Sequence, residues 1–368
     1  MTFNNTTINS ISANSNDLYI ELTTDDIDNR PIYITGNFNN WCTQESKYVL
    51  EQVGDTTYRY KFSVDFTFPE TLQYKFTKGD WNAVEISEEE ESTPNRSTNL
   101  KSGVQREHVV KWKREWSPYK PNFLPQVVLL SDEFTIPQLE TTRKIWALLP
   151  HNYDNTTDKY PVIYLQDAQN LFHNNEDLGN WEIDKKLAVM AEHQVGNVII
   201  IAVEHAGDNR EQEYSANTTS LGKGKGREYL EFLVETLKPY VDNNFRTKTD
   251  VNHTGIGGSS MGALISLFGG LLHPTIFGRL LIFSPALLED TSYGLLEEVQ
   301  RETKIYLYVG GQEGEHRVGR TKQLENHLLE NKFITGRQNF NLSFNANGEH
   351  NETYWSKEFP KAIEWLFF

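Results

Sequence analysis

Gly258-Ser259-Ser260-Met261-Gly262 is the stretch on which the fold turns. Residues 251–257 before it read as a short strand, and residues 261–272 after it as a continuous apolar helix. A Gly-x-Ser-x-Gly run between a strand and a helix is the pattern of a nucleophile elbow, and only Ser260 occupies its centre; Ser259 is off register. The glycines allow a tight turn without a Cβ clash. The serine oxygen then stands clear, and the Met261 N–H, at the helix start, becomes one donor of an oxyanion hole.

A serine hydroxyl is a weak nucleophile at neutral pH, so a histidine base and an acid must come later in the chain. Among ten histidines, His350 fits: it lies in a polar loop, 347–351, after a predicted strand at 340–344 and before a closing helix near residue 360. His273, before Pro274, reads as a helix end, and His316 and His327 lie in charged stretches. The acid should follow a core strand between Ser260 and His350. The strand predicted at 304–309 runs into Gly310-Gly311-Gln312-Glu313-Gly314-Glu315, which offers Glu313 or Glu315, with Asp290 as an outside candidate. A second oxyanion donor is expected at Ala168 or Gln169, in the loop 166–170; one such donor is worth roughly 3 kcal/mol. Trp181, Arg210 and Tyr214 are candidate substrate-binding residues on the same face.

Outward from the elbow, strands are expected at 143–149, 160–165, 197–203, 251–257, 279–283 and 304–309, and helices at 181–192, 226–240 and 261–272. Strand and helix in alternation predict an α/β fold of the α/β-hydrolase kind, a mostly parallel sheet flanked by helices. The front of the chain has a different rhythm. Short alternating strands at 18–22, 32–35, 57–64, 72–77 and 108–112, separated by turn-rich segments, predict an all-β, immunoglobulin-like sandwich. Pro118 and Pro121 mark a joint, giving expected domains of 1–120 and 121–368, and the acidic run 88–94 reads as a solvated loop.

Composition narrows the function classes. A formal charge of −16 argues against nucleic acid as a partner, since phosphate binding needs clustered Lys and Arg. No apolar run approaches the roughly 20 residues of a membrane helix, and the start shows no secretory leader, so a soluble, cytoplasmic protein is expected. The single cysteine, Cys42, forms no internal disulfide and no Cys-rich metal site; no metal or cofactor is implied.

Several ordered motifs carry a resemblance. Tyr164-Leu165-Gln166-Asp167-Ala168-Gln169-Asn170-Leu171-Phe172, Arg210-Glu211-Gln212-Glu213-Tyr214, the Ser260 elbow, Val309-Gly310-Gly311-Gln312-Glu313, and His350 with Tyr354-Trp355 resemble the putative-esterase family of α/β-hydrolases. That family includes enterochelin esterases and feruloyl and acetyl xylan esterases. The resemblance spans about residues 125–368. It implies Ser260 as nucleophile, His350 as base and Glu313 as acid. The chain departs from the family with Ala168 where Asp-Gly-Gln is usual and with Ala263 after the elbow glycine.

The front domain, about residues 15–112, looks like a starch- or glycogen-binding carbohydrate module. The carriers are Gly36-Asn37-Phe38-Asn39-Asn40-Trp41, the run from Tyr74 to Trp81, and Asn95-Arg96. The resemblance implies a sugar site at Trp41, Lys75 and Trp81, because sugar rings stack on exposed indoles; Val84 stands where relatives usually carry a binding tryptophan. The expected activity is therefore a serine esterase working through an acyl-enzyme. Its expected substrate is a carbohydrate-linked ester of acetyl or feruloyl type, with a glucan or other polysaccharide as a further partner. A siderophore-type ester is the runner-up, and a glucan-binding protein on a hydrolase fold is the rival from another class.

Overall fold

Eight strands from the second part of the chain form one mixed sheet. They are β1 (Gln126–Ile136), β2 (Thr141–Leu149), β3 (Val162–Gln166), β4 (Ile199–Val203), β5 (Thr254–Ser259), β6 (Arg279–Phe283), β7 (Lys304–Gly310) and β8 (Phe340–Asn345). Their order across the sheet is β1-β2-β4-β3-β5-β6-β7-β8. β1 with β2 and β2 with β4 are antiparallel, and every later pairing is parallel. The computed structural model describes residues 17–25, 30–88, 91–113, 118–172, 179–215, 218–219, 222–287, 303–330 and 338–368.

Helices cover both faces, which is why β3 and β4 are buried at every residue, β4 as an unbroken apolar run and β3 as one that ends in the buried Gln166. Along β3 the pleat divides the side chains. Val162 and Tyr164 join one core with α3 (Gly226–Glu231), α5 (Met261–Leu272) and α6 (Glu315–Glu330). Ile163 and Leu165 join a second core with α1 (Ile183–Glu192) and α7 (Glu352–Phe367). A short α2 (Arg210–Glu213) follows β4.

Three departures from the expected elements have local causes. Tyr160 stays out of β3 because Pro161 has no N–H to give the ladder. The helix expected over 226–240 is interrupted. After α3 the chain makes a π-turn over Phe232–Leu237 and resumes as α4 (Lys238–Asn244), with Pro239 in its first turn. A proline there cannot donate to the carbonyl four residues back, and its ring crowds that carbonyl, so the wider turn relieves both problems. β1 has no counterpart among the expected strands, because two register shifts, between Leu129 and Ser131 and between Ser131 and Phe134, break its period-two pattern.

The chain divides into two compact units, Met1–Glu115 and Trp116–Phe368. In the first, a four-stranded sheet runs Glu51–Gln52, Thr57–Phe62, Leu18–Thr24, Gly103–Val109, and a three-stranded sheet runs Tyr33–Gly36, Leu72–Thr77, Arg96–Thr98. The segment expected as one strand at 108–112 is split: Val109 ends the first sheet, and Lys111–Trp112 pairs with Glu85–Ile86. Leu18, Ile20 and Leu22 meet Ile34, Leu72, Tyr74 and Phe76 in one shared core. Arg96 ties the sheets at their edge. It pairs with the buried Glu85 at 2.6 Å and with Glu107, which also accepts from the Tyr74 hydroxyl at 2.6 Å. Among the described residues, no helix is long and apolar enough to cross a membrane.

Candidate active site

Ser260 sits between β5 and α5 with φ 55° and ψ −119°, a conformation an L-residue adopts only under constraint from its surroundings. That constraint is visible in the packing. The Ser260 N–H donates to the Phe283 carbonyl at 3.0 Å, and its own carbonyl accepts from Ala286 at 3.1 Å. A Cβ on Gly258 would stand 2.9 Å from the Gly262 backbone, and one on Gly262 would stand 2.7 Å from Asp167 Oδ2. Both elbow glycines are therefore steric requirements. Met261 opens α5, so its N–H has no acceptor inside the helix.

Two strands away, β7 ends in the loop that carries Glu313. Its carboxylate has no solvent exposure and lies 2.8 Å, Oε2 to Nδ1, from His350. Oε1 accepts from Ser284 Oγ at 2.6 Å and from the Gly310 N–H at 2.7 Å, and Arg317 Nε is 3.4 Å from Oε2. Burial pushes the Glu313 carboxyl upward, but the bonds from His350, Ser284 and Gly310 outweigh it and hold the pKa below the ordinary glutamate value. His350 is steered on a second side by Trp355, whose ring meets it edge-on at 4.9 Å. With Nδ1 against the carboxylate, Nε2 is the nitrogen left for chemistry.

The loop after β3 begins with Asp167 in the left-handed region, φ 63° and ψ 49°, followed by a single turn over Ala168–Asn170. The N–H groups of Ala168 and Gln169 lie at the start of that turn, where no turn carbonyl can accept them. The Gln169 side chain clamps this loop to the end of β4, donating to the His205 carbonyl at 3.1 Å and accepting from its N–H at 3.0 Å. Burial lowers the pKa of the His205 imidazole, with Asp167 opposing the shift.

The other candidates separate. Glu315 is exposed at the first position of α6, away from the bond that Glu313 makes. Asp290 lies outside the described residues. Trp181 and Tyr214 correct the substrate-binding expectation. Trp181 is 1% exposed and stacks on Phe283 at 5.5 Å with Trp355 beside it, and Tyr214 is fully buried beneath Arg210, 5.2 Å from its guanidinium. Both are packing residues. Arg210 forms a bidentate pair with Asp167, Nε to Oδ1 at 2.7 Å and Nη2 to Oδ2 at 2.8 Å.

In the front unit the Trp41 and Trp81 rings lie 6.3 Å apart at a 40° tilt, and Trp81 is 43% exposed. Lys75 Nζ donates to Thr93 O at 2.6 Å and to Thr93 Oγ1 at 2.9 Å. Sequence reading did not assign Ser284, Arg317 and Trp355 as partners of the His350–Glu313 pair; the local signals were Ser284 before Pro285 at a strand end, Arg317 four residues after Glu313, and Trp355 in the run that follows His350. Among the described residues, no group of three His, Cys, Asp or Glu side chains is placed to hold a metal ion.

A strand order of 1-2-4-3-5-6-7-8 with a strained serine after the fifth strand defines an α/β-hydrolase. The chain belongs to the Putative esterase family, which it matches over residues 136–366, and it is an esterase. It is 25% identical over 243 residues to the uncharacterized protein YbbA of Bacillus subtilis, covering 61% of this chain and 92% of that protein. It is 26% identical over 185 residues to an endo-1,4-beta-xylanase/feruloyl esterase of Xylanibacter ruminicola, covering 48% of this chain and 23% of that protein. In fold it is similar to the enterobactin esterase FES of Shigella flexneri, with a TM-score of 0.53 and 14% identity, covering 92% of this chain and 90% of that one.

Proposed function

We propose that the chain is a serine carboxylic-ester hydrolase acting through an acyl-enzyme, with Ser260 as nucleophile, His350 as base and Glu313 as the acid that orients it. The observation that carries the reading is the Ser260 backbone, held at φ 55° on the strand-to-helix turn while the unexposed side chain of Glu313 holds Nδ1 of His350 at 2.8 Å. His350 Nε2 takes the Ser260 proton as Oγ bonds to the ester carbonyl carbon. The electron pair of that carbonyl moves onto oxygen, which the Met261 N–H and an N–H of Ala168 or Gln169 receive. Collapse expels the alcohol, which leaves with the proton from His350. Water then repeats the cycle on the acyl-serine and releases the acid.

The preferred substrate is a carbohydrate-linked ester of acetyl or feruloyl type. Two observations favour it: the similarity to a protein named endo-1,4-beta-xylanase/feruloyl esterase, and a tryptophan pair in the front unit, Trp81 exposed and Trp41 half-buried. We infer that this unit is an immunoglobulin-like sandwich serving as a carbohydrate-binding module, its two sheets closing on one core and Trp41 and Trp81 offering their faces to sugar rings. A siderophore-type ester is the second reading, favoured by the fold shared with FES.

The test is turnover of p-nitrophenyl acetate by the parent protein and by a folded Ser260→Ala variant. Mass spectrometry should also find the acyl adduct on the peptide bearing Ser260. Equal turnover by both proteins, or an adduct elsewhere, overturns the assignment. Acetylated xylan, a feruloylated arabinoxylan oligosaccharide and enterobactin, run side by side, then separate the substrate classes.

A further inference from the structure

Arg210 is expected from the sequence to recognise substrate, yet its fork is already used. Nε and Nη2 both bind Asp167, and the ring of Tyr214 supports the guanidinium from behind. Tyr214 packs on Tyr229, which donates to the Gln166 side chain, so the support under the pair is continuous and buried.

Asp167 is an awkward residue for its location. It immediately precedes Ala168, its side chain is only 7% exposed, and its Oδ2 lies 2.7 Å from where a Gly262 Cβ would stand. The carboxylate therefore lies against the first turn of α5, next to Met261. A negative charge is held beside both proposed donors of the oxyanion hole, where the reaction itself must build a second one. A unit charge about 6 Å from an oxyanion, at an effective dielectric of about 20, changes its formation by on the order of a hundredfold.

We infer that Arg210 is a positioning residue whose task is to neutralise Asp167, so that the oxyanion forms beside a closed ion pair in place of a bare carboxylate. The inference rests on the proposed role of Ser260 and its oxyanion donors. Other charges around the pair do not substitute for Arg210: Arg143 donates from Nη2 to both carboxylate oxygens of Glu213, at 2.8 and 2.7 Å, and burial favours the neutral form of His205. The reading also gives Gly262 a second purpose, since any side chain there would push the carboxylate out of reach of Arg210.

The experiment is a charge-rescue cycle in the full chain, with thermal midpoints taken for every variant. Arg210→Gln should lower kcat on p-nitrophenyl acetate by about ten- to a hundredfold, with KM within about threefold, and weaken inhibition by phenylboronic acid in parallel, because both report on oxyanion stabilisation. Asp167→Asn combined with Arg210→Gln removes the offending charge along with its partner, while amide groups can still hydrogen-bond in its place. This double variant should recover kcat to within about fivefold of the parent. A purely structural ion pair predicts the opposite, a double variant no better than Arg210→Gln alone, and that result overturns the inference. Ser260→Ala is run alongside. If it is inactive and rescue fails, only the role of Arg210 falls; if it keeps activity, the reading of the site falls with it.

Discussion

Ser284→Ala is a one-atom deletion at a residue the mechanism does not touch. The Ser284 hydroxyl donates to Glu313 Oε1 at 2.6 Å and accepts from the Trp355 indole N–H at 3.0 Å, in a site with no solvent exposure. Loss of a hydrogen bond to a buried carboxylate costs about 1.5–3 kcal/mol, and a stranded indole N–H costs about 1–3 kcal/mol; since the two share one atom, the sum is not additive and about 2–4 kcal/mol is expected. Urea denaturation at pH 7, followed by circular dichroism and by loss of esterase activity, measures it. The pH dependence has a defined sign. A glutamate held below its ordinary pKa in the folded state contributes stability above its unfolded value, about 4.3, and loses it as pH falls through the folded value. Ser284→Ala weakens that hold, so parent and variant should differ most above about pH 5 and converge at lower pH. Equal stability at neutral pH, or a gap that widens towards acid, would refute the network drawn around Glu313.

Glu313→Gln keeps the shape but puts an amide where His350 needs an anion, and should lower kcat by about 10⁴-fold, while Glu315→Gln stays within about twofold; steady-state kinetics decide between the two carboxylates. Gly262→Ala should lose at least about tenfold in kcat and about 1–3 kcal/mol in stability, as its methyl meets Asp167 Oδ2 and Gln166; activity and melting curves check both. Trp181→Ala should destabilise by about 3–5 kcal/mol through core loss, measured by thermal unfolding. Trp81→Ala, at an exposed ring, should leave the melting temperature nearly unchanged and reduce retention on an immobilised glucan; unchanged retention removes the sugar-stacking role from that ring.

What the sequence made legible was local. The elbow is five consecutive residues with a strand before and a helix after, and β4 is a continuous apolar run, so both could be read directly from their order. The missed features were those that depend on residues far apart. Ser284 meets Glu313 and Trp355 only because β6, β7 and α7 are brought together in the fold, whereas Arg317 is four residues after Glu313 and Trp355 five after His350, neighbours whose contacts the sequence did not by itself assign. Trp181 stayed open between pocket and core for a related reason: an aromatic residue at a helix start looks alike in both until Phe283 and Trp355 are placed against it. β1 escaped because bulges shift its alternation, and the break in the helix after α3 was written only in the identity of one residue, Pro239.

The order in which the site is assembled matters during synthesis. Ser260 lies on a central strand whose neighbours β3 and β6 frame it, whereas Glu313 follows β7 and His350 follows β8, at the far edge of the sheet. A growing chain on the ribosome thus carries its serine turn well before it carries the proposed base, and the proposed oxyanion loop is made before His350 is there to take a proton from Ser260. On the proposed roles, turnover needs β8 docked beside β7 and Trp355 of α7 set against the imidazole, so the capacity to react follows the closing of that side of the sheet.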